Sequence, residues 1–568
     1  MSVADWIVMA TTLVGIIAYG VYRGRGKQTT DSYLRAGRQL SWPVVLVGIM
    51  ATQASAITFL SAPGQAFTDG MRFVQYYFGL PIAMIVICVT FIPLFRKQNV
   101  YTAYEYLENR FDRKTRVLTS FLFLLSRGLS TGISIYAPSI ILSSIFDWNI
   151  YLTNAMVGGL LIIYMYGSGA RAIAYTQTLQ FAIILGSMVV AGIMIVTKLP
   201  GHISLGDALY IAGQSGKLNV ITTDFSFQDK YNLFSGIIGG FFLALSYFGT
   251  DQSQVGRYIS GKDEGESRIG LLLNGIVKIP MQFGILLIGA MLFALYSLTP
   301  SPVFFNPRVI NEIREQAPSE MAAVERRWTS ATDSLTASAA ALVNARNSGT
   351  DPAAFALQHK HAQQEVQKVR KDFKTLAETK GSSESNDTNY ILLYYVRSAL
   401  PAGMVGLLFA VVFLASWGSI SAAFHSLASS SLVDLDLLLR SKPLADTKKV
   451  ALARIHSLLW GLFCIGVAMF ASKLGSLIEA VNVLGSLFYG TILGIFLVAF
   501  YVKRASGTAV FFAAIVTECI VVSVYWFDIV SFLWLNVIGA LSVVLIAALW
   551  SATSRGGIVY QRRDLFEK

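Results

Sequence analysis

Long apolar runs separated by shorter polar loops make up most of the chain. Each run holds about 20 residues, the length with which an α-helix crosses the hydrocarbon core of a bilayer. The pattern therefore predicts an all-α polytopic membrane protein with about thirteen transmembrane helices and one polar insertion at 301–397. The predicted spans are 5–22, 42–68, 72–95, 117–143, 148–167, 175–197, 233–250, 269–298, 402–433, 451–472, 476–501, 508–526 and 530–550.

Lysine and arginine residues concentrate in alternate loops, and the intervening short loops nearly lack them. By the positive-inside rule the basic side is cytoplasmic. This predicts an integral protein of the cytoplasmic (inner) membrane with its N-terminus outside and its C-terminus inside. The same loops account for the formal charge of +12, so the charge does not indicate a nucleic-acid partner. The basic loops are 23–38, 96–116, 257–268, 440–449 and 503–504, together with Arg171 and the residues after 550.

The composition excludes a soluble globular protein, since 54% of the residues are hydrophobic and only 14% are charged. Cys88, Cys464 and Cys519 fall inside apolar runs and are expected to be free, buried thiols. The sequence has no Walker A lysine, HExxH, G-x-S-x-G or CxxC, which argues against an enzyme. The first apolar run lacks a basic n-region and a cleavage site, which favours a retained helix over a signal peptide.

The polar segment 301–397 predicts an extracytoplasmic helical hairpin. Helices are expected over Ser319–Arg346 and Ala353–Lys380, and Asp351 and Pro352 mark the start of the second one. The segment has 12 Lys and Arg against 11 Asp and Glu, which argues against an arm for anionic lipid or nucleic acid. A solvated insertion and a lid or partner-docking element both remain open.

Small and polar residues interrupt two of the apolar runs. One interruption is Ala51–Thr58, and the other falls within Phe241–Arg257. A helix that opens inside a bilayer must line a protein-enclosed cavity, because its backbone groups need partners there. The alternative is a packing face of small residues between two helices.

The two interruptions lie five spans apart, an arrangement typical of transporters built from two repeats. The first five-helix repeat would be 42–200, and the second would be 233–300 with 398–501. Because five is odd, the second repeat must be inverted. Residues 1–41 and 502–568 would add one helix before the repeats and two after them, with a short cytoplasmic tail.

Hydroxyl side chains follow the span Phe413–Ser431. With carbonyls freed by the first broken helix, they would form a site for a hard cation without net charge. Sodium suits such a site better than calcium, which favours carboxylates. The serines concerned are Ser416, Ser419, Ser421 and Ser426.

Five ionisable side chains are expected deep within the predicted spans, where each is costly and therefore a candidate for a site. Arg127 lies about ten residues into its span, close to the middle of the membrane. A guanidinium at that depth needs an anion, which is either the carboxylate of a substrate or a fixed partner in the protein. The five residues are Arg127, Lys278, His425, Glu479 and Glu518.

Five motifs resemble the sodium:solute symporter family, closest to its monocarboxylate, vitamin and iodide branch. The resemblance covers nearly all of 5–550 except the insertion. It implies the LeuT-type five-plus-five inverted-repeat fold and sodium-coupled alternating access. The motifs are MATQASAITFLSAPGQAF (50–67), YTAYEYLENRFDRKTR (101–116), YFGTDQSQVGRYISGK (247–262), SISAAFHSLASSSLVDLD (419–436) and LGSLFYGTILGIFLVAFYVKRASG (484–507).

The resemblance also implies site residues. The sodium site would use the carbonyls of Ala51, Ala54 and Ala415 and the hydroxyl of Ser419. Gly418 stands where the family often has a second serine, so it offers only backbone. Tyr247 matches the aromatic residue of the inner gate. The candidate substrate-binding residues are Gln53, Thr58, Arg127, Ser246, Tyr247, Lys278 and Asn482.

Two departures from the family pattern predict a stoichiometry of one sodium per substrate. Gln177 replaces an aspartate that many members carry, and Ala422 stands at the position implied for a second sodium. The first broken helix also bears on the substrate. Sugar-transporting members place an acid and an amide where this chain has Ile57 and Thr58, which argues against a sugar.

The sequence thus indicates a sodium-coupled symporter that imports a small organic anion by alternating access, with sodium as the co-transported ion. The alternative is a symporter of a neutral solute, such as a sugar or an amino acid, in which Arg127 is structural. A non-transporting sensor is disfavoured, because only about eighteen residues follow the last span.

Overall fold

The computed structural model describes residues 2–24, 31, 36–98, 100–146, 148–166, 170–382, 386–440, 444–471, 474 and 476–553. Within these ranges the regular secondary structure is helical. The basic residues of 25–30 and the tail after Thr553 lie outside the described residues.

The helices agree closely with the predicted spans. Those of the first half are α1 Val3–Gly24, α2 Trp42–Gln53, α3 Ala56–Asp69, α4 Met71–Lys97, α5 Glu105–Arg110, α6 Arg113–Phe146, α7 Ile150–Tyr166, α8 Ala170–Thr197 and α9 Leu205–Gln214. Those of the second half are α10 Gly240–Thr250, α11 Gln252–Tyr258, α12 Glu264–Leu298, α13 Pro307–Gln316, α14 Pro318–Ser348, α15 Ala353–Thr379, α16 Ile391–Ala399, α17 Met404–Ser430, α18 Asp446–Ala468, α19 Leu477–Tyr501, α20 Gly507–Trp526 and α21 Phe532–Thr553.

Nine helices in the described part of the chain are long and apolar enough to cross a membrane. The bent pair α2 and α3 forms a tenth span. Three shorter apolar stretches, at Val3–Ile16, Ile150–Ile163 and Ser235–Thr250, also overlap predicted spans.

Both predicted interruptions are breaks between helices. The α2 and α3 axes differ by 59°, and Ala54 between them has φ −85° and ψ 71°, outside the helical region. The second break is at Asp251, whose carboxylate accepts a hydrogen bond from the Ser253 amide at 2.7 Å. A side-chain oxygen thus satisfies an amide at the start of α11, as helix caps do.

Helix α17 forms the centre of the bundle. Of the residues in its most apolar stretch, 94% are buried. It packs against α1, α2, α6, α8 and α18. A helix that is apolar on all sides is stable only when neighbours surround it, and the alanines, serines and glycines of α17 allow their close approach.

Cysteine burial departs from the sequence prediction at one position. Cys88 and Cys464 are buried, but Cys519 is exposed. It lies on α20, whose outer face also exposes large apolar side chains such as Ile515 and Val522. An apolar run does not fix which side of a membrane helix faces the protein, so the prediction of a third buried thiol was wrong.

The segment between α12 and α17 contains an antiparallel helical hairpin of α14 and α15. Arg327 Nη2 lies 2.7 Å from Asp372 Oδ2, and Lys380 Nζ lies 2.9 Å from Glu320 Oε1. The hairpin has its own apolar cluster around Trp328. We call the end of the bundle that carries it the hairpin side and the opposite end the basic side.

We expect Gly289→Ala to destabilise the contact of α12 with α3. A Cβ at Gly289 would lie 2.0 Å from the Pro63 carbonyl oxygen. Relief of this clash requires a shift of the helix backbone, which costs free energy. The cost should be roughly 1–3 kcal/mol, measured as a lower apparent Tm of the purified protein. Gly284→Ala on the same helix is the control, because no atom lies within 4 Å of its Cβ position. Equal melting of both variants would contradict the close approach.

Candidate functional site

The break after α2 lies against α17, and a glutamine of α8 joins them. Gln177 Nε2 donates to the Gly418 carbonyl at 2.8 Å and lies 3.4 Å from Thr52 Oγ1. The last four carbonyl groups of a helix have no amide partner within the helix. The carbonyl of Ala51, at the end of α2, is one of these groups. The fold therefore brings together the two elements that carry the predicted sodium ligands.

Ser419 and Ala415 contact each other within α17. Ser419 Oγ donates to the Ala415 carbonyl at 2.8 Å, and its side chain is buried. The bond uses the hydroxyl proton and leaves the oxygen lone pairs available to a cation. This geometry is compatible with both residues as ligands, which remains a prediction.

Gly418 has a steric role that is visible only in the fold. A Cβ at this position would lie 2.6 Å from Gln180 Oε1 and 3.4 Å from Gln177 Cγ. The glycine thus makes room for two glutamine side chains. The buried Oε1 atoms of Gln177 and Gln180 have no hydrogen-bond partner in the described structure. Neutral, unpaired oxygens beside the break suit a cation of low charge.

Arg127 is buried on α6 and faces Asp251 at the second break. Its Nη1 lies 4.0 Å from Asp251 Oδ2, beyond hydrogen-bonding distance. Oδ1 of Asp251 accepts from the Ser253 amide and hydroxyl, while Oδ2 accepts from Tyr489 Oη at 3.0 Å. The carboxylate is therefore held mainly by neutral donors. Arg127 Nε is buried without a hydrogen-bond partner in the described structure.

Tyr247 belongs to the same cluster. Its hydroxyl accepts from Gln254 Nε2 at 2.7 Å and is close enough to the Arg127 guanidinium to interact with its charge. Its ring centroid lies 5.8 Å from that of Tyr489. Ser246 Oγ donates to the Tyr489 carbonyl, so this predicted residue ties α10 to α19 and has its hydroxyl proton engaged.

Lys278 is fully buried on α12. Its Nζ has no hydrogen-bond partner in the described structure and lies 5.3 Å from the ring centroid of Tyr77. Asn274 and Gln282, one helical turn away on either side, are also buried and carry unpaired polar atoms. The three residues form a polar stripe on the inner face of α12.

The other predicted substrate residues, Gln53, Thr58 and Asn482, lie on α2, α3 and α19. Gln53 Oε1 is buried without a partner in the described structure, and Thr58 Oγ1 donates to the Gln53 carbonyl at 3.4 Å. Asn482 Oδ1 accepts from Tyr76 Oη at 3.2 Å. Tyr247 is close enough to Tyr76 to interact electrostatically. Among the described hydrogen bonds, none joins Asn482 or Lys278 directly to Arg127.

Sequence reasoning missed several partners of these residues. It placed Asp251 in the second interruption without pairing it with Arg127, and it assigned no role to Tyr489 or Tyr77. An acid inside an apolar run is a signal for a buried basic partner, which could have suggested the pairing. Nothing in the sequence marks the two tyrosines among the many aromatic residues of the chain.

Comparison with known proteins identifies relatives of this arrangement. The family model of the sodium:solute symporter family matches residues 33–326. The sodium-coupled monocarboxylate transporter 1 of Mus musculus is 24% identical over 505 residues, which cover 88% of this chain and 70% of that protein. The sodium/sialic acid symporter NanT of Aliivibrio fischeri is 24% identical, and the match covers 96% of this chain and 92% of that protein.

A solved structure shares the whole architecture. The substrate-bound, outward-open state of a Na+-coupled sialic acid symporter matches with a TM-score of 0.75 over 98% of both chains, at 23% identity. At that identity the likeness establishes the fold alone. The all-α, LeuT-type fold predicted from the sequence is confirmed.

Proposed function

The chain belongs to the sodium:solute symporter family and is a sodium-coupled symporter, and we propose that its solute is a small organic anion of the carboxylate type. Its relatives are transporters and not enzymes, as the sequence indicated. The relatives named above carry monocarboxylates or sialic acid, which are organic anions. We assign the same class of solute, an organic anion, to this chain, with one sodium ion transported per substrate molecule.

The observation that carries the proposal is the excess of buried positive charge at Arg127 on α6 and Lys278 on α12. Arg127 and Lys278 are both buried, and Asp251 is the acid that faces Arg127. Lys278 has neither a hydrogen-bond partner nor an acid in contact among the described residues. A buried cation without a counter-ion is unfavourable, and an anionic substrate would supply that counter-ion.

The pairing of Arg127 with Asp251 leaves capacity for a substrate. Ser253 and Tyr489 already donate hydrogen bonds to the Asp251 carboxylate. The Arg127 guanidinium, 4.0 Å away, therefore interacts with this carboxylate through charge and not through direct hydrogen bonds. Its planar fork matches a carboxylate bidentately. A substrate carboxylate can therefore bind Arg127 without first breaking a strong contact.

Coupling would arise from differential binding. Sodium held by Ala51, Ala54, Ala415, Gly418 and Ser419 would join the end of α2 to α17 and stabilise the state that orders the substrate pocket. Each charge that moves down 100 mV contributes about 2.3 kcal/mol. Tyr247, between Arg127 and Gln254, would act as the inner gate.

The orientation and the insertion belong to the same proposal. We propose that the hairpin side faces the outside of a cytoplasmic membrane, because Arg268 lies at the end of α12 that is remote from the hairpin, and Arg96 of another basic loop lies at the same end, 2.9 Å from Ser267 Oγ. The N-terminus would then be outside and the C-terminus inside. The hairpin of 301–397 would be extracytoplasmic and accessible to a partner there.

A symporter of a neutral solute is the second candidate. The observation that favours it is the contact of Arg127 with Asp251, which gives the arginine a fixed partner within the protein. In that case Arg127 holds α6 against the second break, and the substrate meets only the neutral groups around Gln53 and Asn482.

Thermal stability with a panel of solutes tests the proposal. We expect a carboxylate to raise the apparent Tm only when sodium is present, and at about a hundred times its Kd it should add roughly 2.7 kcal/mol. Lys278→Met should lose most of this gain without becoming less stable in the free state, since it removes an unpaired buried charge. Lys448→Met, at an exposed lysine of α18, is the matched control. Sodium-dependent stabilisation by a sugar or a neutral amino acid, with no effect of carboxylates, would reject the anion.

A further inference from the structure

A chamber of about 420 Å³ lies between the hairpin and the transmembrane bundle. Its floor is formed by the end of α3 and by α12, with Phe67 and Phe293, and its roof by α14 and α15, with Trp328 and Arg370. Helix α3 has 14 residues, so at 1.5 Å per residue the chamber lies about 20 Å from the break at Ser55. It is therefore separate from the sodium and substrate sites described above.

The charges of the chamber are predominantly positive. Among the described residues that line it, none is acidic, whereas Lys217, Arg370, Lys371 and Lys374 are basic. Asp387, buried behind the wall, lies 2.6 Å from Arg370 and 3.6 Å from Lys374. The Asp387 carboxylate thus forms ion pairs with two of the four cations, and the chamber keeps an excess of positive charge.

Lys217 is the cation most deeply enclosed, with 8% of its surface exposed. Its Nζ donates to the Thr68 carbonyl and lies 4.9 Å from the ring centroid of Phe293. The pKa of Lys217 is lowered to about 8, mainly by burial; the charge of Asp69 opposes this shift and that of Arg370 adds to it. A backbone carbonyl only partly compensates a buried ammonium group, so a bound anion would stabilise it.

Aromatic rings supply the remaining surface. The Arg370 guanidinium lies 5.2 Å from the centroid of Phe305, whose ring meets that of Phe67 edge to face at 5.4 Å. Tyr296 and Trp328 also line the wall. Cavities of this size that combine apolar walls with a few convergent charges are typical of small-molecule sites.

We infer that this chamber is a second, sodium-independent binding site for an organic anion with an aromatic or apolar body. The cations around Lys217 and Arg370 would bind the anionic group, and the rings would stack against the body. The ligand class follows from the lining of the chamber and does not depend on the substrate proposed for the transport site. An anion held here on the hairpin side contacts the end of α3, the second half of the broken span.

Calorimetric titration of the full protein in nanodiscs tests the inference, with benzoate as the probe and choline in place of sodium. We expect benzoate to bind without sodium and benzamide, its neutral counterpart, to bind more weakly. Lys217→Met should weaken benzoate binding about tenfold or more, since a charge-assisted hydrogen bond is lost. Lys371→Glu at the exposed rim should do the same by repulsion, and it alters no buried contact.

Lys368→Glu is the control, because this exposed residue of α15 lies outside the lining. Absence of sodium-free benzoate binding, or equal binding by wild type and both chamber variants, would overturn the inference. These outcomes leave the transport proposal untouched, because that proposal is judged by stabilisation that requires sodium. Conversely, sodium-free binding that is sensitive to Lys217→Met would support the chamber even if no carboxylate acted with sodium.

Discussion

We expect Ser419→Ala to abolish the sodium dependence of solute uptake while the protein stays folded. The substitution removes the hydroxyl predicted to bind sodium, and within α17 it loses only the bond of Ser419 Oγ to helix carbonyls. Loss of a ligand to the cation should weaken sodium binding about tenfold or more, which removes the stimulation of uptake at the sodium concentrations to which the wild type responds. Uptake into proteoliposomes, measured as a function of sodium concentration, gives the apparent affinity.

The matched control for this prediction is Ser457→Ala. Ser457 is also buried, and its Oγ donates to the carbonyl four residues earlier at 3.0 Å. Both variants therefore lose the same kind of helix bond, and only Ser419 lies beside the α2 break. Unchanged sodium-dependent uptake by Ser419→Ala would reject the site assignment, whereas equal losses in both variants would point to damage to the helix.

The second prediction concerns Arg127→Gln, which we expect to eliminate uptake of the organic anion and to lower stability. Removing one partner of a buried ion pair leaves the other charge uncompensated, at a cost of about 3–5 kcal/mol. The cost here should be near the lower end, because Ser253 and Tyr489 already donate to Asp251. Apparent Tm and uptake are both measured.

The double variant Arg127→Gln with Asp251→Asn separates the two proposed functions. Both charges are then absent, so we expect stability to recover toward that of the wild type. If Arg127 binds the substrate carboxylate, uptake stays lost despite the recovered Tm. Recovery of uptake together with stability would show that Arg127 is structural, and would favour the neutral solute.

The sequence alone determined the positions of the spans and the two breaks. Each of these depends on neighbouring residues: about 20 apolar positions make a span, and a run such as Ala51–Thr58 weakens a helix where it stands. The fold and the sodium coupling were predicted from family motifs. These motifs are also contiguous segments, such as 50–67 and 419–436.

Only the tertiary structure decided which side chains meet. Asp251 faces Arg127, Gln177 reaches the carbonyl of Gly418, and the hairpin encloses a cationic chamber over α3. The exposure of Cys519 was also settled by packing and not by its apolar surroundings. These contacts join residues far apart in the chain, and the local pattern of apolar and polar positions specifies a helix without specifying its neighbours.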